Sequence, residues 1–240
     1  MKIEKIIHQV WIGNLKAPEL WMDSWKEKNP KWKYIRWDNE NIFSRDWKCQ
    51  KQIDYYRERS MWHGIADIVR YEILFEFGGI MPGADSKCIE PIDDLFDNDY
   101  ELFAVSTKGN PKEWRREDGA EMKELPLFLS QFKDKSIISI APIYAAKKGS
   151  EFLEKIIDEM RLKTDLKEPW KTTGNLFGAD MIKKYNPRIK IFPMHQFLQY
   201  QPRTFGNPDN YVYIGKNKIY ASHKWGTTKK CYQDGMKIKN

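Results

Sequence analysis

A chain of 240 residues with 41% apolar residues and ten tryptophans has enough material for a packed core, which excludes an intrinsically disordered protein. Its formal net charge of +7 favours anionic partners such as nucleotide phosphates. The surplus is spread out, with Lys147-Lys148, Lys183-Lys184 and Lys229-Lys230 as its densest runs, and no reading element for nucleic acid accompanies it, so no nucleic-acid partner is expected.

Three cysteines, at 49, 88 and 231, form no Cys-x-x-Cys pair, which points to reduced thiols. No apolar leader opens the chain and no run approaches the roughly 20 apolar residues of a membrane span. The expectation is a cytoplasmic protein whose membrane contact, if it has one, is peripheral. No linker, repeat or low-complexity tract divides the chain, so residues 1–240 are read as a single domain.

In chain order, residues 3–12 form a short β-branched run that predicts a buried first strand, ended by Gly13-Asn14. Residues 18–28 predict a helix opened by Pro18 and stopped by Asn29-Pro30. Residues 33–37 predict a second strand, and Asp38-Asn39 the cap of a short helix. Strand, helix, strand is the opening of an α/β fold. Later strands are expected over 101–106, 137–145, 189–192, 211–214 and 218–222, and later helices over 150–162 and 175–185.

The stretch 61–77 predicts a long helix closed by Gly78-Gly79. At about 100° per residue, Val69, Ile73 and Phe77 share one flank, and Ile68, Tyr71 and Phe75 the other. Glu72 and Glu76, one turn apart with like charge, are expected on the wet edge. Asp67 and Arg70 fall on the edge facing away from those glutamates, toward protein or a cleft. They read equally as an i,i+3 ion pair and as groups presented to a ligand.

Gly78-Gly79-Ile80-Met81-Pro82-Gly83-Ala84-Asp85 then brings the backbone sharply round. It presents Asp85 at the end of a short strand, a place where α/β proteins hold a hard cation or a hydroxyl. Asp85 also reads as a plain turn former. Near the C-terminus, His223 in a polar, aromatic and basic block could ligate a metal or donate to phosphate, and Lys224, Lys229 and Lys230 could screen phosphates. The same block also reads as an ordinary basic tail.

Several blocks together resemble a known family. They are Ile6-Ile7-His8-Gln9-Val10-Trp11-Ile12-Gly13, Trp25, Pro30, Trp37-Asp38, Ala66 to Leu74 running into Gly78-Gly79-Ile80, and His223-Lys224-Trp225. In this order they resemble the Asp-x-Asp glycosyltransferases that include fungal initiating α-1,6-mannosyltransferases and bacterial capsular polysaccharide transferases. More distantly they resemble the glucosyltransferase domains of clostridial toxins. The resemblance implies a GT-A type α/β fold with a mainly parallel central sheet flanked by helices. It also implies retaining transfer from a nucleotide-sugar donor, a UDP- or GDP-sugar, to a carbohydrate, glycolipid or protein acceptor, aided by a divalent cation, usually manganese with magnesium as the alternative.

By position, the resemblance places Val10 and Trp11 by the nucleotide, and Asp67 and Arg70 on the donor sugar. Gly83, Ala84 and Asp85 stand at the Asp-x-Asp motif, with Asp85 as metal ligand. His223 falls near the metal or diphosphate, and Lys229 in the closing donor-binding segment. The chain departs from the family at Gly83 in place of the first aspartate, Ile140 in place of an asparagine, Gly174-Asn175 in place of Gly-Pro and Thr228-Lys229 in place of Ser-Trp. The expected function is therefore a glycosyltransferase, and the alternative is an inactive sugar-nucleotide- or glycan-binding module.

Overall fold

A computed structural model describes residues 3–96, 99–106, 111–116, 138–140, 143–198, 211–224 and 232–236. Among them a seven-stranded sheet forms the centre. Strand β1 (Ile6–Val10) lies parallel to both β2 (Lys33–Trp37) and β3 (Gly79–Pro82). Strand β4 (Ser86–Cys88) leaves this sheet, as described below. Strand β5 (Leu102–Ser106) lies further along the sheet and β6 (Trp114–Arg116) stands apart from it. Strands β7 (Ile138–Ser139) and β8 (Ile143–Ala146) both run antiparallel to β5, and β8 also pairs antiparallel with β3. Strand β9 (Ile189–Phe192) runs parallel to β5 on its other side. Strands β1, β2, β3, β5 and β9 therefore share one direction, which makes the sheet mainly parallel as expected.

The run expected as one strand over 137–145 is interrupted. Val105 pairs with Ser139, but Phe103 pairs with Ala145, so one β5 residue opposes five between β7 and β8. Such an excess must leave the ladder. The Ile140 N–H freed by this bulge donates to Asn175 Oδ1 at 3.0 Å, so it is not left unpaired in the core.

Side chains alternate across the sheet and feed two cores. On one face Met81, Leu102, Ala104, Tyr144 and Ala146 pack against helices. These are α3 (Gln50–Glu58), α4 (Trp62–Phe77), α5 (Glu151–Arg161) and α7 (Asn175–Tyr185), with a short α6 (Pro169–Thr172) before the last. On the other face Ile7, Ile80, Phe103, Val105, Ile143, Ala145 and Phe192 meet Trp25 of α1 (Glu19–Lys28), Cys88 and Ala221. Asp38 opens the short α2 (Asn39–Phe43) through a reciprocal capping box with Asn41. Among the described residues, no helix is long and apolar enough to cross a membrane.

Helix α4 fixes the polarity of the molecule. It begins where β1 ends: a Cβ added at Gly13 would meet the Trp62 ring at 2.6 Å. It finishes at Gly78 and Gly79, at φ 66° and 94°, and a Cβ at Gly79 would lie 2.4 Å from the Ile6 carbonyl oxygen. Only glycine meets both demands, and the chain turns directly into β3.

The expected wet edge of α4 needs correction. Glu76 is exposed and pairs with Arg45, but Glu72 is buried at 6% exposure. Its carboxylate accepts the backbone N–H groups of Lys48 at 2.7 Å and Cys49 at 2.8 Å. These lie just ahead of α3, where unpaired donors and the positive end of the helix dipole reward a carboxylate. Helix α3 was not anticipated from the sequence, and neither was this partner for Glu72.

His8, fully buried in β1, accepts from Trp37 Nε1 at its Nδ1 (3.1 Å). An indole N–H only donates, so the proton must sit on Nε2, which faces the Gly78 carbonyl at 3.0 Å. Burial lowers the His8 pKa from 6.5 to about 4; Lys33 lowers it further, and the Gly78 hydrogen bond opposes the shift. The folded pKa lies below the unfolded one, so the unfolded chain binds the extra proton between these values. Stability should therefore fall by about 3 kcal/mol as pH drops from about 6.5 to about 4. Urea midpoints measured across that window should fall more steeply for the wild type than for His8→Gln.

Candidate functional site

The loop after β3 is held by β1 and by helix α1, which lies on one face of the sheet. The Gly83 carbonyl accepts from Ser86 N at 3.0 Å, from Ser86 Oγ, and from Gln9 Nε2 at 3.4 Å. Helix α1 secures the other end of the turn. Trp25 Nε1 donates to Ser86 O and Oγ at 3.0 and 3.1 Å, and Ser24 Oγ accepts from Cys88 N at 2.8 Å. Trp11, half-buried beyond β1, packs with Ala17, Met22 and Ala84, and donates from Nε1 to Leu15 O. Val10 is partly buried against the helical core at the end of β1.

The chain's C-terminal part completes this loop. Strand β10 (Tyr211–Tyr213) pairs with β6, and β11 (Ala221–His223) pairs antiparallel with β4, placing His223 opposite Ser86. Lys224 N donates to Asp85 O at 2.7 Å, and His223 N to Phe197 O at 3.2 Å. As a result, His223 Nε2 lies 3.3 Å from Asp85 Oδ1, with the two side chains 5% and 17% exposed.

Asp67 and Arg70 form a second pair in the first half of α4. Arg70 donates to Asp67 Oδ1 at 3.1 Å, and the side chains keep 11% and 18% of their surface for Arg70 and Asp67 respectively. Both sequence readings of this pair remain compatible with that contact. Burial raises the Asp67 pKa; Arg70 and His63 act against it. A Cβ at Gly174, the residue capping α7, would stand 2.6 Å from Asp67 Oδ2, so glycine there permits the close approach. Arg70 Nε and Tyr144 Oη are buried without a hydrogen-bond partner among the described residues. Tyr144 meets the ring of Tyr71 edge-on at 6.0 Å, and Tyr71 donates to the Gly174 carbonyl.

Asp85 is thus brought to His223, and Trp11 to Ala84, while Asp67 is brought to Arg70. Gly83, Ala84 and Asp85 follow the carboxyl end of β3, and α4 opens at the carboxyl end of β1, the edge where open α/β sheets bind ligands. No described contact joins the Asp67 pair to the Asp85 pair. Lys229 lies outside the described residues. Gln9 and Tyr34, whose hydroxyl donates to Gln9 Oε1 at 2.8 Å, were not singled out from the sequence. A glutamine inside the apolar run of β1 was the available signal, because a buried amide must be paired.

A divalent cation fits this loop in part. Asp85 and His223 offer an oxygen and a nitrogen side by side, but no group of three His, Cys, Asp or Glu side chains that could hold a metal occurs among the described residues. A cation held by these two residues must complete its shell from a bound diphosphate and water.

Residues 18–102 match the family described as a glycosyltransferase sugar-binding region containing a DXD motif. Inositol phosphoceramide mannosyltransferase 3 of Schizosaccharomyces pombe is 35% identical over 103 residues, 39% of this chain and 27% of that protein. Inositol phosphoceramide mannosyltransferase 1 of the same organism is 29% identical over 111 residues, 39% of this chain and 31% of that protein. The matched part therefore spans less than a third of these relatives' length. Among solved structures, the PaToxG glycosyltransferase superposes with a TM-score of 0.50 at 16% identity, over 76% of this chain and 70% of that one. That likeness shows a shared fold of the GT-A type.

The matched region includes Gly83, where the first aspartate of the motif is absent. The positive-φ glycines among the described residues are Gly13, Gly78, Gly79 and Gly149, so a side chain at Gly83 meets no left-handed backbone. Gly83→Asp should tighten manganese binding by roughly tenfold, since charge count sets the affinity of oxygen sites, and Asp85→Ala should abolish it. Manganese titrations of the ligand-free proteins test both outcomes.

Proposed function

We propose that this chain, whose residues 18–102 carry a DXD-type glycosyltransferase sugar-binding region, transfers a sugar from a nucleoside-diphosphate donor to a carbohydrate or glycolipid acceptor. The observation that carries the reading is the Asp85–His223 pair, 3.3 Å apart, at the motif position and at the carboxyl edge of the sheet. Manganese is the first candidate for the cation and magnesium the second. Asp85 and His223 would hold it, and its chemistry would be to neutralise charge on the departing diphosphate.

The remaining roles follow from this chain's own side chains. Trp11, beside Ala84, offers a flat apolar face to the nucleotide base. Asp67 has a second carboxylate oxygen to accept from sugar hydroxyls, and the Arg70 guanidinium has terminal N–H groups beyond the one given to Asp67. In a retaining transfer the acceptor oxygen bonds to the sugar's anomeric carbon on the face from which the diphosphate leaves. The bond to the diphosphate oxygen breaks, and the acceptor's proton passes to that oxygen. The names of the two fungal relatives make mannose and an inositol-phosphate lipid the first donor sugar and acceptor to try.

The test is a panel of UDP- and GDP-sugars with and without manganese, offered to glycan and glycolipid acceptors. Transfer to at least one acceptor supports the reading. Nucleotide binding with neither transfer nor hydrolysis would favour an inactive binding module, which Gly83 would then explain. Asp67→Asn and Arg70→Lys should each lower transfer by roughly 30- to 1000-fold, the equivalent of about 2–4 kcal/mol for a charged hydrogen-bond partner lost in a buried site. Both should bind the free nucleoside diphosphate as the wild type does. Equal loss of nucleotide binding would mark the pair as structural.

A further inference from the structure

Gly83 leaves the turn before Asp85 with the most permissive backbone in the loop, so its geometry has to be imposed from outside. One end is fixed by Trp25, which donates to Ser86. The other is reached from the sheet interior by Gln9, whose Nε2 faces the Gly83 carbonyl at 3.4 Å. Gln9 is fully buried, and its orientation is determined. A carbonyl only accepts, so the amide nitrogen must face Gly83, which leaves Oε1 to accept the Tyr34 hydroxyl at 2.8 Å. Burial pushes the Tyr34 pKa up, so the hydroxyl keeps its proton at neutral pH and stays a donor. For packing alone an apolar side chain would serve better inside β1, because a buried amide gains nothing beyond repaying its lost hydration.

We infer that Gln9 is a positioning residue, oriented by Tyr34, which fixes the turn over residues 83–86 and thereby the aim of Asp85 at the cation and diphosphate. The inference rests on the proposed reading of Asp85 as a cation ligand. Gln9 and Tyr34 touch neither substrate nor cation; they act through the Gly83 carbonyl, two hydrogen-bonded links from Tyr34 to Asp85's own turn. Partners hydrogen-bonded to a metal ligand typically govern affinity by 10- to 100-fold; Gln9 acts one step further out, through a long contact to Gly83, which places its effect at the lower end. Tyr34 lines a surface groove of about 430 Å³ with Lys26, Glu27, Pro30 and Trp32, so Tyr34→Phe removes the hydroxyl without opening the core.

The experiment is manganese titration by electron paramagnetic resonance in the presence of UDP and of GDP, with ligand-free thermal melting of each variant. Gln9→Leu should weaken manganese binding roughly tenfold and Tyr34→Phe roughly threefold. Both should broaden the bound-manganese spectrum, a change that a stability loss elsewhere in the sheet would not produce. A folded Gln9→Leu with wild-type affinity and spectrum overturns the inference. Should Gln9→Leu fail to fold, wild-type affinity and spectrum in Tyr34→Phe overturn it equally. Asp85→Ala separates the two levels of the claim. If it binds manganese as tightly as the wild type, the reading of Asp85 falls and this inference with it. If it alone loses binding, the reading stands and Gln9 is only a core residue.

Discussion

The antiparallel ladder between β4 and β11 is the constraint on which the candidate site depends. Asp85 precedes β4 and His223 ends β11, and the register that sets Ser86 opposite His223, with the Lys224 N–Asp85 O bond beside it, brings them together. A slip of one residue would turn His223 to the other face of the ribbon and leave Asp85 as an isolated turn carboxylate. Helix α1 protects this register. Ser24, Trp25 and Asn29 all hydrogen-bond to β4 or to the residues beside it, so the ribbon is bonded on its helix side as well as to its partner strand. The aromatic core below, where Phe96, Phe103, Phe192 and Phe197 meet at 5.0–5.8 Å, ties the segment before β11 to the central sheet.

On the opposite face the organising element is α4. Its two apolar flanks are consumed by packing, and its remaining positions carry charges with separate tasks. Glu72 satisfies backbone donors ahead of α3, while Asp67 and Arg70 meet under Gly174. A buried guanidinium with an unused Nε–H is costly unless something else compensates. Asn175 stands at the start of α7, where its side chain secures the bulged Ile140. Two of the positions at which the sequence departs from the family it resembles are thus bonded to each other, as parts of the local packing.

Much of this architecture was legible from local chemistry. Strand β2 and helix α7 fall on their predicted residues, because a β-branched or periodic run is bounded there by unambiguous stop signals. The α4–Gly78-Gly79 junction and the Asp38 cap were legible for the same reason. Helix α3 was missed: Gln50–Glu58 buries only Gln52, Ile53 and Tyr56, too few apolar positions for a clear helical period. The wet edge assigned to Glu72 failed because its partners are backbone groups just ahead of that missed helix, which no side-chain pattern displays. The pairing of Asp85 with His223 required tertiary register, so the sequence offered the two residues as separate candidates, and only the resemblance placed them together. Gln9 and Tyr34 were invisible as a pair because they sit on different strands and form a relay that ends on a carbonyl rather than on a charged group.

Gly83 concentrates the tension in the account. The site keeps one carboxylate, one imidazole and a firmly held backbone, but lacks the aspartate with which the family it resembles begins its motif. A crystal structure of the chain grown with manganese and a nucleoside diphosphate tests the central claim most directly. The expected result is an anomalous manganese peak bonded to Asp85 and His223 and to diphosphate oxygens, with the base against Trp11. Manganese and nucleotide bound away from Asp85, or a nucleotide seated there with no metal contact to its carboxylate, would contradict it.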